Sequence, residues 1–456
     1  MHPSSGNRRG GSALRLSRIG ARFTARTGIL ELMDELGAAL AGRSDLRMLG
    51  GGNPARIPAV EAVWCRRMTE LFAEGDAFER MLAHYDAPNG QPEFIEALVR
   101  ALRRRFGWKL TSEHVAVTNG SQNAFFYLFN LLAGEGADGR HRRILLPMTP
   151  EYIGYADVGV GGNLFVAGQP RVELRGRHDF KYHIRFDSLP LDEDIAAIAL
   201  SRPSNPSGNV VSDSELRRLA ALAGEREIPL IVDGAYGLPF PDIIFSDAQP
   251  LWNRNVILAL SLSKLGLPGV RTGIVVADPR WIRLISAFNA VAGLATGNLG
   301  QRLIGPLLES GELFEISRRY IRPFYEQRAR QARQWIAECL PDDLDYRVHA
   351  AEGALFLWLW FPGLPISSAE LYRRLKARGV LVVPGHHFAY GQAANEAHCR
   401  ECIRVTYAQS ESVVLDGMRR IGAELRRIYR RRPVRRTRGD SNRRRDADSG
   451  RRGARG

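Results

Sequence analysis

The chain has 456 residues, 45% hydrophobic and 25% charged, which is enough to bury a core larger than one small domain and too apolar for a disordered chain. The formal net charge of +15 suggests a nucleic-acid partner, but six Arg in residues 1–26 and twelve Arg against three Asp in residues 430–456 account for all of it, so residues 27–429 are net neutral. No stretch approaches 18 apolar residues, and Arg15, Arg18 and Arg22 interrupt any secretory leader, so neither a membrane span nor a signal peptide is expected.

Residues 1–16 and 430–456 read as basic, disordered tails, and nucleic acid is an unlikely partner except through them. From about residue 90 the pattern alternates short apolar strands with helices. "HVAVTNG" (114–120) predicts a strand and turn, and "SQNAFFYLFNLLAG" the helix that follows. "RRILLP" (142–147), "IAAIALS" (195–201), "IPLIVDG" (228–234), "NVILALS" (255–261) and "TGIVVAD" (272–278) predict further buried strands. Between two of them, Ser212 and Glu215 have the spacing of a capping box at a helix start. Such alternation predicts a mainly parallel sheet covered on both faces, with ligands at the carboxyl ends of the strands. From about residue 310 an Arg-rich helical region (312–339) precedes "GALFLWLWF", the helical "SAELYRRLKARG", and strands near "VLVVPG" and "CIRVTYA", which together predict a second, smaller α/β domain. Cys399 and Cys402 form a CxxC beside His398, but no second pair completes a zinc site and the motif runs into a strand. Four cysteines are too few for a disulfide framework and suit a reducing cytoplasm.

Polar residues gather just after the strands. Asn119-Gly120-Ser121-Gln122 opens a helix, where free N–H groups suit an anion such as phosphate. Asn205-Pro206 follows the next polar strand end, and Asp233 and Tyr236 the one after. Ser261, Ser263, Lys264 and Arg271 lie in "LSLSKLGLPGVRTGIVV", and Lys264 is one of only four lysines among 64 basic residues. Taken singly, Asp233 suits a helix N-cap, Tyr236 core packing and Arg271 a surface ion pair. Jointly they supply what pyridoxal 5′-phosphate (PLP) needs: a phosphate cradle, an acid for the pyridine nitrogen, donors to the ring oxygen and a lysine for a Schiff base.

In this order the residues resemble the aspartate aminotransferase superfamily, the fold type I, class I/II aminotransferases. "MLGGGNPARIP", "YDAPNGQPEF", "PEYIGYAD", "LSLSKLGLPG" and "LKARGVLVVPGHHF" resemble the branch that moves an amino group between alanine and a branched-chain 2-oxo acid. The resemblance runs from about residue 17 to 429. It implies an α/β fold with a large PLP-binding domain at 61–308 around a mainly parallel seven-stranded sheet. A smaller α/β domain would be built from 17–60 and 309–429.

The resemblance also implies roles. Lys264 binds the cofactor covalently and then moves a proton at the substrate Cα, which needs its pKa lowered from the usual ~10.4. Asp233 faces the pyridine nitrogen, while Tyr236 and Asn205 bond the ring oxygen. Gly120, Ser121, Gln122, Ser261 and Arg271 hold the phosphate, with Ser263 assisting, and Tyr152 stacks on the ring. Arg404 grips the substrate carboxylate, with Gly52 and Asn205 also against the substrate. Tyr85 reaches the phosphate bound by the partner subunit, which implies a homodimer with shared sites. Phe125, Tyr155 and Phe388 are expected to wall an apolar side-chain pocket, and no metal is expected. Two departures are visible: Arg271 follows Lys264 by seven residues where eight is commoner, and Ser207 replaces the usual Thr. The same residues also suit a broader aminotransferase or a carbon–sulfur β-lyase. A PLP-sensing regulator would carry a winged-helix domain, for which the stretch before residue 17 is too short.

Overall fold

The computed structural model describes residues 15–25, 28, 30, 34, 37, 45–341, 343–391 and 395–430; the expected basic tails lie almost wholly outside them. The central sheet is built from β1 (Val115–Thr118), β2 (Gly134–Glu135), β3 (His141–Leu146), β4 (Phe165–Ala167), β5 (Ile195–Ser201), β6 (Leu230–Asp233), β7 (Val256–Ser261) and β8 (Gly273–Val276). Their order is β1-β8-β7-β6-β5-β3-β2, with β4 also paired to β3. The strands from β7 through β6, β5 and β3 to β4 run parallel. β8 is antiparallel to both neighbours, and the two-residue β2 adds an eighth strand to the seven expected.

Near-continuous apolar runs form these strands because both sheet faces are buried. On one face Val115, Val117, Val256, Leu258, Leu260, Ile274 and Val276 join the larger core. The alternate residues, among them Ala116, Ala197, Ala199, Ile231, Ala259 and Val275, form a second core with helix α1 (Ser121–Leu132). Small side chains on that face let the bulky Phe125, Leu128 and Phe129 of α1 approach closely.

Parallel strands bring their carboxyl ends to one edge. Thr118, Leu146, Ser201, Asp233 and Ser261 all end there. Antiparallel β8 contributes its beginning instead: Gly273 lies opposite both Thr118 and Ser261, which delivers Arg271 to the same edge.

Helix α2 (Asp213–Glu225) carries the expected capping box, with Ser212 Oγ accepting from Glu215 N and a Glu215 carboxylate oxygen accepting from Ser212 N at 3.0 Å. A second sheet has six strands, in the order 383–384, 402–406, 356–360, 347–349, 179–183 and 171–175. The hairpin at 171–183, which the sequence pattern did not reveal, thus leaves the first half of the chain to pair with the C-terminal part. Lys181 of that hairpin forms a buried ion pair with Glu352 and donates to Val210 O at 3.0 Å. Near the amino end, Arg47–Met48 pairs in parallel with Val380–Leu381. The helical region at 312–339 is divided by a π turn at Ser317–Ile321, just before α3 (Arg322–Cys339) with Pro323 in its first turn.

The CxxC is structural. Cys399 and Cys402 are fully buried, and burial pushes both thiols up. His398, pushed down to about 4 by burial, lies 2.6 Å from Tyr182 Oη, to which Trp358 Nε1 donates at 2.9 Å. Among the described residues no cluster of three His, Cys, Asp or Glu is placed to hold a metal. No described helix is long and apolar enough to cross a membrane.

Candidate active site

The strand ends enclose a cavity of about 460 Å³, walled by Ser121, Gln122, Phe125, Tyr152, Asn205, Asp233, Tyr236, Ser261, Ser263, Lys264, Arg271, Arg404 and Gly52 among others. Thus most of the residues singled out in the sequence converge in one place.

Lys264 sits in a short 3₁₀ turn after β7, and its Nζ donates to Gly52 O at 2.6 Å. The amine lies 5.2 Å from the Tyr236 ring centroid. Burial, then the charges of Arg404 and Arg271, lower its pKa from 10.5 to about 8, against the opposing pull of Asp233.

Asp233 ends β6, the strand beside the one that leads to Lys264. Its Oδ1 accepts from Ala235 N at 2.8 Å and its Oδ2 from the Tyr155 hydroxyl. Burial pushes the carboxyl up to about 6. Two neutral donors and the nearby Lys264 amine offset its charge only in part, so the site suits a cationic ring nitrogen. The expectation that Tyr155 walls the substrate pocket is corrected: it is packed into the second core and serves as a partner of Asp233. Its position three residues after Tyr152, across one 3₁₀ turn, was the available signal.

Arg404 stands on strand 402–406. Its Nη1 donates to Asn205 Oδ1 and its Nη2 to Gly50 O, both at 2.7 Å. Its guanidinium lies 4.1 Å over the Phe356 ring and 5.3 Å from that of Phe388. Nε is buried without a partner. Burial lowers the pKa to about 10, which leaves the group charged at pH 7. An arginine held this way suits a carboxylate. Phe388 is not among the residues that wall the cavity; it packs beneath Arg404 and against Trp358.

The anion cradle forms where α1 begins. Gly120, its N-cap, has φ 87 and ψ 155, a conformation open essentially to glycine alone. A Cβ there would lie 2.1 Å from Arg271 Nη2. Arg271 donates to Pro268 O at 3.2 Å and lies 3.5 Å from Ser263 Oγ. Ser261 Oγ accepts from Ser263 N at 3.2 Å. The Gln122 side chain is committed to Gly154 O at 2.8 Å, so its backbone N–H is what it has for an anion. Gly120→Ala is therefore expected to destabilise the apoprotein by about 1–3 kcal/mol, read by urea unfolding, and to weaken phosphate binding by displacing Arg271.

Tyr152 walls the cavity with its ring perpendicular to that of Tyr155. Tyr85 is 84% exposed and does not reach this chain's cavity. Among the residues of the site that went unread in the sequence are Asn53, Ile153, Ser201 and Ala235, which wall the cavity, and Glu151, buried beside Tyr152.

A sheet of this topology, with a lysine, an acid and an arginine at the strand ends, has the architecture of the fold type I enzymes. Residues 72–421 match the profile of the family Aminotransferase class I and II, and the chain belongs to that family. It is 44% identical over 413 residues to the valine–pyruvate aminotransferase of Escherichia coli (strain K12), spanning 91% of this chain and 98% of that one. The crystal structure of valine–pyruvate aminotransferase from Salmonella typhimurium LT2 superposes with a TM-score of 0.81 at 42% identity, covering 89% of this chain and all of that one. A Psychrobacter arcticum 273-4 protein assigned as an amino-acid aminotransferase superposes with a TM-score of 0.89 at 44% identity, covering 92% and 100%.

Proposed function

We propose that the chain is a PLP-dependent aminotransferase that exchanges the amino group of alanine with a branched-chain 2-oxo acid, forming valine and pyruvate from alanine and 3-methyl-2-oxobutanoate. The observation that carries this is the buried Lys264 amine, held on Gly52 O in the same cavity as Asp233 and Arg404. The 44% identity to the Escherichia coli enzyme supports the substrate pair.

PLP, when bound, supplies an electron sink for the pair left at the substrate Cα. Asp233 would hold its ring nitrogen protonated, and Tyr236 and Asn205 would bond its ring oxygen. Burial keeps the Tyr236 phenol protonated, so it acts as a donor. The α1 N-terminus at Gly120–Gln122, with Ser261, Ser263 and Arg271, would cradle the phosphate, and Tyr152 would stack on the ring. Arg404 would orient the substrate by its carboxylate, with Gly52 and Asn205 alongside. The neutral Lys264 amine would then act as the base that takes the substrate Cα proton. Phe125 gives the side-chain space an apolar wall. One methylene in such a space changes affinity by only about 1–3 kcal/mol, so overlap with isoleucine and 2-aminobutyrate is expected.

The reading includes a homodimer. Tyr85 is exposed, as are the apolar Leu82, Val291 and Leu294, and it would reach the phosphate bound by the partner subunit. The large domain at 61–308 and the small one from 17–60 and 309–429 belong to the same reading. So does a cytoplasmic location, which suits four free cysteines.

Purified protein given PLP, alanine and 3-methyl-2-oxobutanoate should yield valine and pyruvate in equal amounts, read by chromatography. Pyruvate and ammonia released from cystathionine, with no valine formed from alanine, would replace this reading with a β-lyase.

A further inference from the structure

Glu151 is 4% exposed, and the amino-transfer chemistry gives it no task. It follows β3 and faces the end of β5. Its Oε1 accepts from Tyr152 N at 2.7 Å and from the Ser201 hydroxyl, and its Oε2 accepts from Ser201 N at 2.9 Å. Both oxygens therefore face a backbone N–H. Three donors hold this carboxyl in place, although burial still outweighs them and pushes its pKa up to about 7.

Two separate routes lead from this residue to Arg404. Through the side chain, Ser201 Oγ accepts from Asn205 N at 3.4 Å, and Asn205 Oδ1 accepts from Arg404 Nη1 at 2.7 Å. Through the backbone, Glu151 N donates to Phe388 O at 3.0 Å, and the Phe388 ring lies 5.3 Å from the Arg404 guanidinium. The same carboxylate fixes the backbone of Tyr152, whose carbonyl is held from the other side by the Tyr390 hydroxyl at 2.9 Å.

We propose that Glu151 is a positioning residue that sets Arg404, through Ser201 and Asn205, in register to grip the substrate carboxylate. The inference rests on the assignment of Arg404 to that carboxylate. It predicts a loss specific to carboxylate binding, which a mere strut at a strand end would not produce.

Glu151→Gln puts an N–H₂ against one of two backbone N–H groups whichever way the amide turns. Ser201→Ala leaves both of Glu151's backbone bonds intact and removes the relay through Oγ, together with a hydroxyl from the cavity wall. Each variant, loaded with PLP, should raise the KM for alanine roughly tenfold, the effect of one lost hydrogen bond, with kcat within about threefold of wild type. The Kd of 2-methylalanine, an amino acid without a Cα proton, should rise equally, read from the cofactor's visible absorbance. The double variant should be no worse than either single one, because both act on one relay.

A lowered melting temperature with unchanged KM and Kd would reduce Glu151 to a strut and overturn the proposal, as would losses that multiply in the double variant. If Glu151→Gln fails to fold, Glu151→Asp, which keeps the carboxyl but shortens its reach to Ser201, takes its place beside Ser201→Ala. Arg404→Gln separates the two levels. If it leaves the Kd of 2-methylalanine unchanged, the carboxylate assignment itself fails. If it raises that Kd while the Ser201 variant does not, only the relay fails.

Discussion

Lys264→Ala is expected to remove turnover, by at least the roughly 10²–10⁴-fold that a positioned general base contributes, without unfolding the chain. The size of the effect follows from what no other side chain can replace. Among the residues that wall the cavity, the other cations are Arg271 and Arg404, and a guanidinium stays protonated and cannot take a Cα proton. With its pKa lowered from 10.5 to about 8, the Lys264 amine is neutral at pH 7 about 300-fold more often than an ordinary lysine.

The same shift fixes the sign of the stability effect. An amine that titrates near 8 when folded and near 10.5 when unfolded binds its proton more weakly in the fold. Its burial therefore opposes folding below pH 8, and that opposition fades as pH rises from 8 to 10.5. Apo Lys264→Ala should thus be at least as stable as wild type at pH 7, with the difference narrowing by pH 10. Thermal melts of both apoproteins at the two pH values, beside an activity assay, test this. An active Lys264→Ala protein would overturn the whole assignment.

What the sequence shows of this site depends on how local each signal is. The strands were legible because both sheet faces are buried, so β5 and β7 are written as uninterrupted apolar runs. The strand-end residues were legible because a parallel sheet gathers them on one edge. The hairpin at 171–183 was not legible: its strands carry Arg171, Glu173, Arg175, Asp179 and Lys181, and its pairing partner, strand 347–349, comes far later in the chain. Tyr155 was placed in the cavity as an aromatic, but its hydroxyl needed an acceptor, and only the fold shows that Asp233 supplies it. Glu151 lay in a quoted motif and passed unread, because a lone acid beside an aromatic looks like a solvated loop until Ser201 is brought to it.

Asp233→Asn should lower kcat/KM about 10²–10⁴-fold while leaving the apoprotein no less stable. The substitution keeps the shape of the side chain and an oxygen for either Tyr155 or Ala235, but it removes the charge. Breaking a buried ion pair costs about 3–5 kcal/mol, and each 1.36 kcal/mol is tenfold in rate, which sets the range. Without the cofactor the charge is a burden. A carboxyl that titrates near 6 when folded, against an ordinary 3.8, binds its proton more tightly in the fold. Its ionisation therefore opposes folding increasingly as pH rises from about 4 to 6, and fully above 6. The apo variant should match or exceed wild type at pH 7 and converge with it near pH 4. Added PLP should reverse the order, because a ligand stabilises the fold in proportion to its affinity and only the wild-type carboxylate can pair with a protonated ring nitrogen. Melting curves with and without PLP at pH 7 read both effects. An equal rise in melting temperature in the two proteins would show that Asp233 does not face the cation it is assigned.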